Sequence, residues 1–166
     1  MNKLVIYQSE TGFTRQYAQW IAEALGCPAR PAGEVTEAEL AGTGLIIFGG
    51  WLMGSRIMGL EKIRRAAPQR LVVFAVGITP AGPVTAEQTR RQNHLGALPF
   101  FYLEGGLRKE RLGLIKRAML GMVKTSLARK GEKSAQDLLL LSRLDASCDC
   151  TDRQSLQPLL DSVGGI

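Results

Sequence analysis

One histidine and three cysteines leave this chain poorly equipped for metal chemistry or a disulfide scaffold. Cys148-Asp149-Cys150 resembles half a zinc site, but only Cys27 and His94 remain to complete four ligands. Three thiols suit a reducing compartment better than cross-linking. Long apolar runs are missing too: none approaches the roughly 18 residues that a membrane-spanning helix needs, and the opening residues carry no signal-peptide pattern. A cytoplasmic location is therefore expected. Triphosphate and dinucleotide fingerprints also fail. The nearest approach to Gly-x4-Gly-Lys-Ser/Thr runs from Gly49 to Gly54 and continues Ser55-Arg56, without the lysine, while Gly42-Thr43-Gly44 lacks a third glycine. Repeats and low-complexity segments are absent.

What is present fits one domain over residues 1–166, since 45% hydrophobic content in 166 residues supplies one sizeable core but not two. Charge is distributed unevenly. The net charge is +6, yet Leu107 to Lys130 alone holds eight basic residues against Glu110, a local balance of +7, so the rest sums to −1. Basicity belongs to one segment laid over an almost neutral fold.

The apolar, partly β-branched run Leu4-Val5-Ile6-Tyr7 reads as a buried strand, and from Thr14 onward Tyr17, Ile21, Ala24 and Leu25 recur at helical spacing until Gly26. Between them lies Gln8-Ser9-Glu10-Thr11-Gly12-Phe13-Thr14. The first N–H groups of a helix lack internal partners and carry the positive end of its dipole, so this junction suits an anion. Ser9, Thr11 and Thr14 add hydroxyl donors and Gly12 permits close backbone approach. No Lys or Arg lies within Ser9 to Thr14 and Glu10 is expected to point outward, which suits a phosphate monoester held by neutral donors. An ordinary capped helix start, with Ser9 or Thr11 as cap, is the plain alternative.

Further strands are expected at Ala29 to Ala32 (an edge), at Leu45 to Phe48 ending on Gly49-Gly50, at Leu71 to Val76 and at Leu98 to Leu103. Helices are expected over Ile57 to Ala67, Val84 to Asn93 and Asp152 to Val163, the last capped by Thr151 or Asp152. Apolar strands alternating with helices imply a parallel sheet covered on both faces, where ligands bind beyond the carboxyl ends of the strands. Three loops follow such ends: Gln8 to Phe13, Gly49 to Arg56 with Trp51, Leu52 and Met53, and Gly77 to Pro83. A phosphate socket beside an aromatic and two glycine loops implies a ligand with a phosphate tail and a flat ring.

Ser9-Glu10-Thr11-Gly12-Phe13-Thr14 resembles the Thr/Ser-x-Thr-Gly-x-Thr phosphate loop of flavodoxins, and the resemblance covers nearly the whole chain. It implies an α/β fold with a doubly wound five-stranded parallel sheet, order 2-1-3-4-5, and FMN as cofactor. By the same resemblance Ser9, Thr11, Gly12, Phe13 and Thr14 would hold the phosphate. Gly50, Trp51, Leu52 and Met53 would flank one side of the ring, and Gly77, Ile78 and Thr79 the other. The middle loop lacks the usual polar residue before its aromatic, and the last loop lacks the acidic and aromatic residues common in electron-carrying flavodoxins.

Leu103-Glu104-Gly105-Gly106-Leu107-Arg108, then a basic amphipathic stretch with paired methionines, then Thr151-Asp152, is similar to the menaquinone-dependent protoporphyrinogen dehydrogenases of haem synthesis. That similarity implies a basic helical insertion after the last strand, here residues 107–135. It also implies oxidation of protoporphyrinogen IX with a quinone acceptor, with Arg108, Lys109, Arg111, Lys116, Arg117 and Lys124 as candidates for substrate or membrane contact. Over Leu112 to Lys130, Leu112, Ile115, Met119, Met122, Val123 and Leu127 fill one arc of the wheel, with Arg117 and Lys124 on a flank. Such a helix either packs on its own sheet or lies peripherally against the inner, anionic face of a membrane. Interleaved aromatics are too few for nucleic acid. Three readings stay open at this level: an FMN-dependent oxidoreductase, a non-enzymatic electron carrier docking to protein partners, and a domain that has lost flavin. Ordinary carriers of this fold are acidic, which the local +7 opposes. No residue stands out as a general acid or base, and His94 is expected to be solvated on a surface helix.

Overall fold

The computed structural model describes residues 1–165. Five parallel strands form the central sheet: β1 (Lys3–Gln8), β2 (Ala29–Pro31), β3 (Leu45–Met53), β5 (Leu71–Gly77) and β6 (Phe100–Glu104), in the order β2-β1-β3-β5-β6. This is the expected 2-1-3-4-5 order of the main strands. A two-residue strand β4 (Arg56–Ile57) turns back antiparallel on the end of β3.

The two-residue side-chain period sorts each strand onto two cores. Leu4, Ile6, Ile46, Phe48, Val73 and Ala75 face one side, covered by α2 (Glu37–Gly42), α3 (Leu60–Arg65) and α4 (Pro83–Gln92) through Leu40, Leu60, Ile63 and Ala86. Val5, Leu45, Ile47, Val72, Phe74 and Val76 face the other, covered by α1 (Phe13–Leu25) and α7 (Gln157–Gly164) through Tyr17, Ile21, Leu159 and Val163. The order reverses between β1 and β3, so the carboxyl ends of these two strands border the crevice where such sheets bind ligands.

Several boundaries differ from expectation for local reasons. Gly49-Gly50 does not end β3, which runs on to Met53. Ile57 lies in β4 instead of opening α3, because Asn93, buried, accepts from the Ile57 N–H at 2.8 Å and donates to the Ser55 carbonyl at 2.7 Å, pinning the hairpin. Ala32 begins a 3-10 turn and not the end of β2, and the last helix is split into a 3-10 turn (Arg153–Leu156) and α7, the turn capped by Asp152. His94 follows α4 with φ 50, not within it.

After β6 the chain forms β7 (Gly106–Leu107), α5 (Leu114–Ala128), α6 (Ala135–Asp145) and β8 (Cys148–Asp149). β7 and β8 pair antiparallel, Leu107 opposite Cys148, so the insertion leaves and re-enters the fold at one point. Its base and hairpin are tied by polar contacts. Lys124 pairs with Asp145, Lys130 with Asp137 at 2.7 Å, and Ser147 donates to Glu110 at 3.0 Å. Each acid sits below its ordinary range: Asp137 chiefly through Lys130, Asp145 chiefly through Lys124, Glu110 chiefly through its own backbone N–H and then Ser147. A carboxyl with a lowered folded-state pKa stabilises structure fully above its unfolded value and loses that contribution as pH falls through the folded one. Acid is therefore expected to loosen the insertion ahead of the core, whose strands are held by apolar burial. Hydrogen exchange, corrected for its intrinsic pH dependence, should show residues 112–145 losing protection as pH falls below the ordinary carboxylate range of about 4 while residues 71–77 keep theirs.

Candidate functional site

The three loops beyond the strand ends converge on one cavity of ≈ 220 Å³. Its floor is the first loop. Gly12, at φ 105, is the residue before α1 and has no side chain to cap it, so the helix presents its leading N–H groups. The Gly12 N–H donates to Ser9 Oγ at 3.2 Å, which curls the loop around that end. Ser9 and Thr11 are therefore not the helix cap. Thr14, only 1% exposed, borders the cavity. Hydroxyls, free amides and a left-handed glycine on the positive end of a helix dipole make an anion cradle.

The side walls come from the other two loops. Trp51, Leu52 and Met53 ride on the β3–β4 hairpin, and Gly77 and Ile78 lie at the end of β5. Gly12, Gly50 and Thr79 do not border the cavity. Gly50 is buried where a Cβ would stand 2.5 Å from the Met58 carbonyl oxygen, and Thr79 offers its carbonyl to the Tyr102 hydroxyl at 2.7 Å. Burial pushes the Tyr102 phenol up, keeping it a donor. Gly105 and Gly106 add a back wall; the Gly105 N–H donates to the Gly77 carbonyl at 2.8 Å.

The roof is the insertion. Leu112, Lys116, Met119, Leu120 and Val123 border the cavity from above. The predicted apolar arc is thus divided: Leu112, Met119 and Val123 face the cavity, whereas Ile115 and Met122 stand 79% and 72% exposed beside Leu114 at 84%. α5 does not lie on the sheet. Lys116 clamps it down, its ammonium paired with Glu10 and lying 4.8 Å from the Trp51 ring centroid. Glu10 is exposed, as its charge implied, and Lys116 holds it at the cavity rim.

α6 holds the third loop in place. Arg143 donates to the Ile78 carbonyl at 3.0 Å and pairs with Glu104 at 2.7 Å, Glu104 accepts from the Ala81 N–H at 2.6 Å, and Gln136 donates to the Pro80 carbonyl at 3.1 Å. Nothing in the local sequence marks these as site residues; they act through contacts between distant segments. The basic candidates separate accordingly. Arg108, Arg111 and Lys116 reach the first loop. Lys109 donates to the Asp145 carbonyl, Arg117 to the Lys109 carbonyl, and Lys124 pairs with Asp145, so these three brace the insertion itself. The thiols of Cys148 and Cys150 are half-buried, and among the described residues no group of three His, Cys, Asp or Glu could hold a metal ion.

A doubly wound α/β sheet with an anion cradle after its first strand and apolar walls at its switch point defines a nucleotide-binding domain of the flavoprotein kind. The chain belongs to the flavodoxin domain family, whose model matches residues 4–135. Among solved structures it is similar to a flavodoxin from the domain Archaea (17% identity, 75% of this chain and 98% of that one, TM-score 0.46). It is also similar to oxidised flavodoxin 2 from Bacillus cereus (18%, 63% and 84%, TM-score 0.45) and to a flavoprotein in complex with FMN from Lactobacillus acidophilus (10%, 62% and 91%, TM-score 0.42). Comparison with curated proteins finds no match.

The donor set fits FMN. Ser9, Thr11, Thr14 and the α1 amides suit a phosphate ester, and Trp51 to Met53 opposite Gly77 and Ile78 suit an apolar planar ring. At ≈ 220 Å³ the cavity is tighter than the roughly 300–1,000 Å³ usual for small-molecule sites. The wall able to yield is α5, none of whose residues is buried.

Proposed function

We propose that this protein is an FMN-dependent oxidoreductase that works on a small reductant beneath a helical roof, not a carrier that offers its flavin to proteins. The observation that carries this reading is α5: Leu112, Met119, Leu120 and Val123 cover the space above the strand ends that a docking protein would have to reach. Bound FMN supplies two-electron transfer. The chain's own residues bind and orient it: the first loop and the α1 terminus hold its phosphate, the β3–β4 hairpin and the third loop flank its ring, and α5 excludes water. The third loop is held by Arg143, Glu104 and Tyr102, so the wall on that side is set in advance.

The finer reading is a porphyrinogen as reductant and a quinone as acceptor, with the insertion lying on the anionic inner face of the membrane. Leu114, Ile115 and Met122 on α5 and Leu138 and Leu139 on α6 are exposed within a strongly basic segment, a combination that attracts an anionic lipid surface. No described helix is long and apolar enough to cross a membrane.

Titration with FMN, followed by flavin absorbance, tests the cofactor; no binding at micromolar concentration overturns the reading. Oxidation of protoporphyrinogen IX by the FMN-loaded protein with a soluble menaquinone analogue tests the substrate. Flavin reduction by a partner reductase without porphyrinogen turnover would assign the carrier role instead. Co-sedimentation with anionic vesicles, lost in I115S/M122S, tests the surface.

A further inference from the structure

Resting on the FMN reading, we infer that Arg108 and Arg111, contributed by the start of the insertion, are specificity residues for the terminal phosphate, selecting the mononucleotide over riboflavin. Both guanidinium groups converge on the first loop. Arg108 Nη1 donates to the Thr11 carbonyl at 2.8 Å and Arg111 Nη1 to the same oxygen at 3.3 Å. A Cβ at residue 12 would stand 2.9 Å from Arg108 Nη1 and 3.6 Å from Arg111 Nη1, so both nitrogens lie against Gly12, beside the loop whose Ser9, Thr11 and Thr14 line the cavity. The Arg108 guanidinium is also stacked 4.4 Å from the Phe13 ring centroid, which fixes its plane.

This arrangement is electrostatically incomplete. Two cations share one neutral acceptor at the positive end of α1, and among the described residues neither forms an ion pair with a carboxylate. The nearby acids are engaged elsewhere: Glu10 pairs with Lys116, and Glu110, which feels both arginines, accepts from Ser147. Like charges held together beside a helix N-terminus repel, and the repulsion is relieved by an anion placed among them. A phosphate monoester carries close to two negative charges and oxygens that accept from guanidinium forks, which neutral loop donors cannot match in strength. The loop itself contains no Lys or Arg, so the cations beside it come from the insertion. It follows that the phosphate, once bound, also ties the base of the insertion to the first loop.

The experiment measures dissociation constants of FMN and of riboflavin by fluorescence quenching, at about 50 mM and about 500 mM NaCl, for the full chain and for R111Q, R108Q and the double variant. K109Q, which alters a side chain bonded to the Asp145 carbonyl, is the control. Wild type should prefer FMN by about a hundredfold or more. The double variant should cut that ratio roughly tenfold or more and flatten its salt dependence, with riboflavin affinity unchanged. R111Q, whose side chain is exposed and makes no aromatic stack, keeps the test valid if R108Q fails to fold. A ratio that is the same in R111Q, the double variant and K109Q overturns the proposal while leaving the FMN reading standing. Absence of binding by either flavin to wild type overturns the FMN reading itself.

Discussion

Gly49→Ala is expected to destabilise the fold by about 3 kcal/mol, lowering Tm by roughly 6–12 °C in a chain of this size. The residue sits mid-strand in β3, paired with Phe74 of β5, and a Cβ there would overlap three carbons of the Phe74 ring. Phe74 is fully buried among Val5, Ile47 and Tyr17, so its ring has no free volume into which to retreat. Relief must come from the ring or from separating two hydrogen-bonded strands. Phe74→Leu removes the overlap at the cost of a small cavity, so G49A/F74L should be less destabilised than the sum of its parts, a coupling of opposite sign to the usual loss of contact. Thermal melts of the four proteins check this. A strictly additive cycle would mean that the glycine is tolerated for reasons other than the ring.

That same glycine pair shows where the sequence misleads. A four-residue apolar run followed by Gly-Gly reads as a strand and its stop, because glycine usually punctuates local structure. Here Gly49 and Gly50 instead mark close approach inside a strand, to the Phe74 ring and to the Met58 carbonyl. Such contacts lie between segments that no local window connects. By contrast the first loop is legible because strand, hydroxyl-rich turn and amphipathic helix are consecutive, and each carries its own periodic signal. Two helices, α2 and α6, carry capping boxes built on Thr36 with Glu39 and on Ser134 with Asp137, so their starts are written locally too, in a pattern the apolar periodicity obscures. The roof is the least legible part. An amphipathic wheel over residues 112–130 states that one arc is apolar, but Met119 facing the cavity and Met122 facing solvent are distinguished only by where the paired strands β7 and β8 aim the insertion.

Replacing residues 108–147 by an Asn-Gly turn is expected to leave the flavodoxin fold intact and to accelerate flavin release by roughly 10- to 100-fold, equivalent to about 1.4–2.7 kcal/mol. The excision is geometrically natural: Leu107 and Cys148 are register partners in an antiparallel pair, the position from which a two-residue turn closes a hairpin. Neither core cluster draws a residue from 108–147, so the sheet and its helices keep their packing. The cavity loses Leu112, Met119, Leu120 and Val123, and with them the apolar cover over the ring. The third loop loses Arg143 and Gln136 but retains the Glu104 contact to Ala81 and the Tyr102 contact to Thr79, so it should loosen without collapsing. Because Arg108 and Arg111 leave as well, riboflavin separates the phosphate effect from the rest: it has no phosphate, so its faster release reports the roof and the loosened third loop without the arginines. A roof that exists to keep proteins away from the flavin also predicts a gain. The excised protein should pass electrons to a protein-sized oxidant such as a cytochrome faster than the intact chain does, while its turnover of a small reductant falls. Equal rates toward the large oxidant would mean that α5 does not obstruct docking, and the carrier reading would then fit the fold better than the enzyme reading.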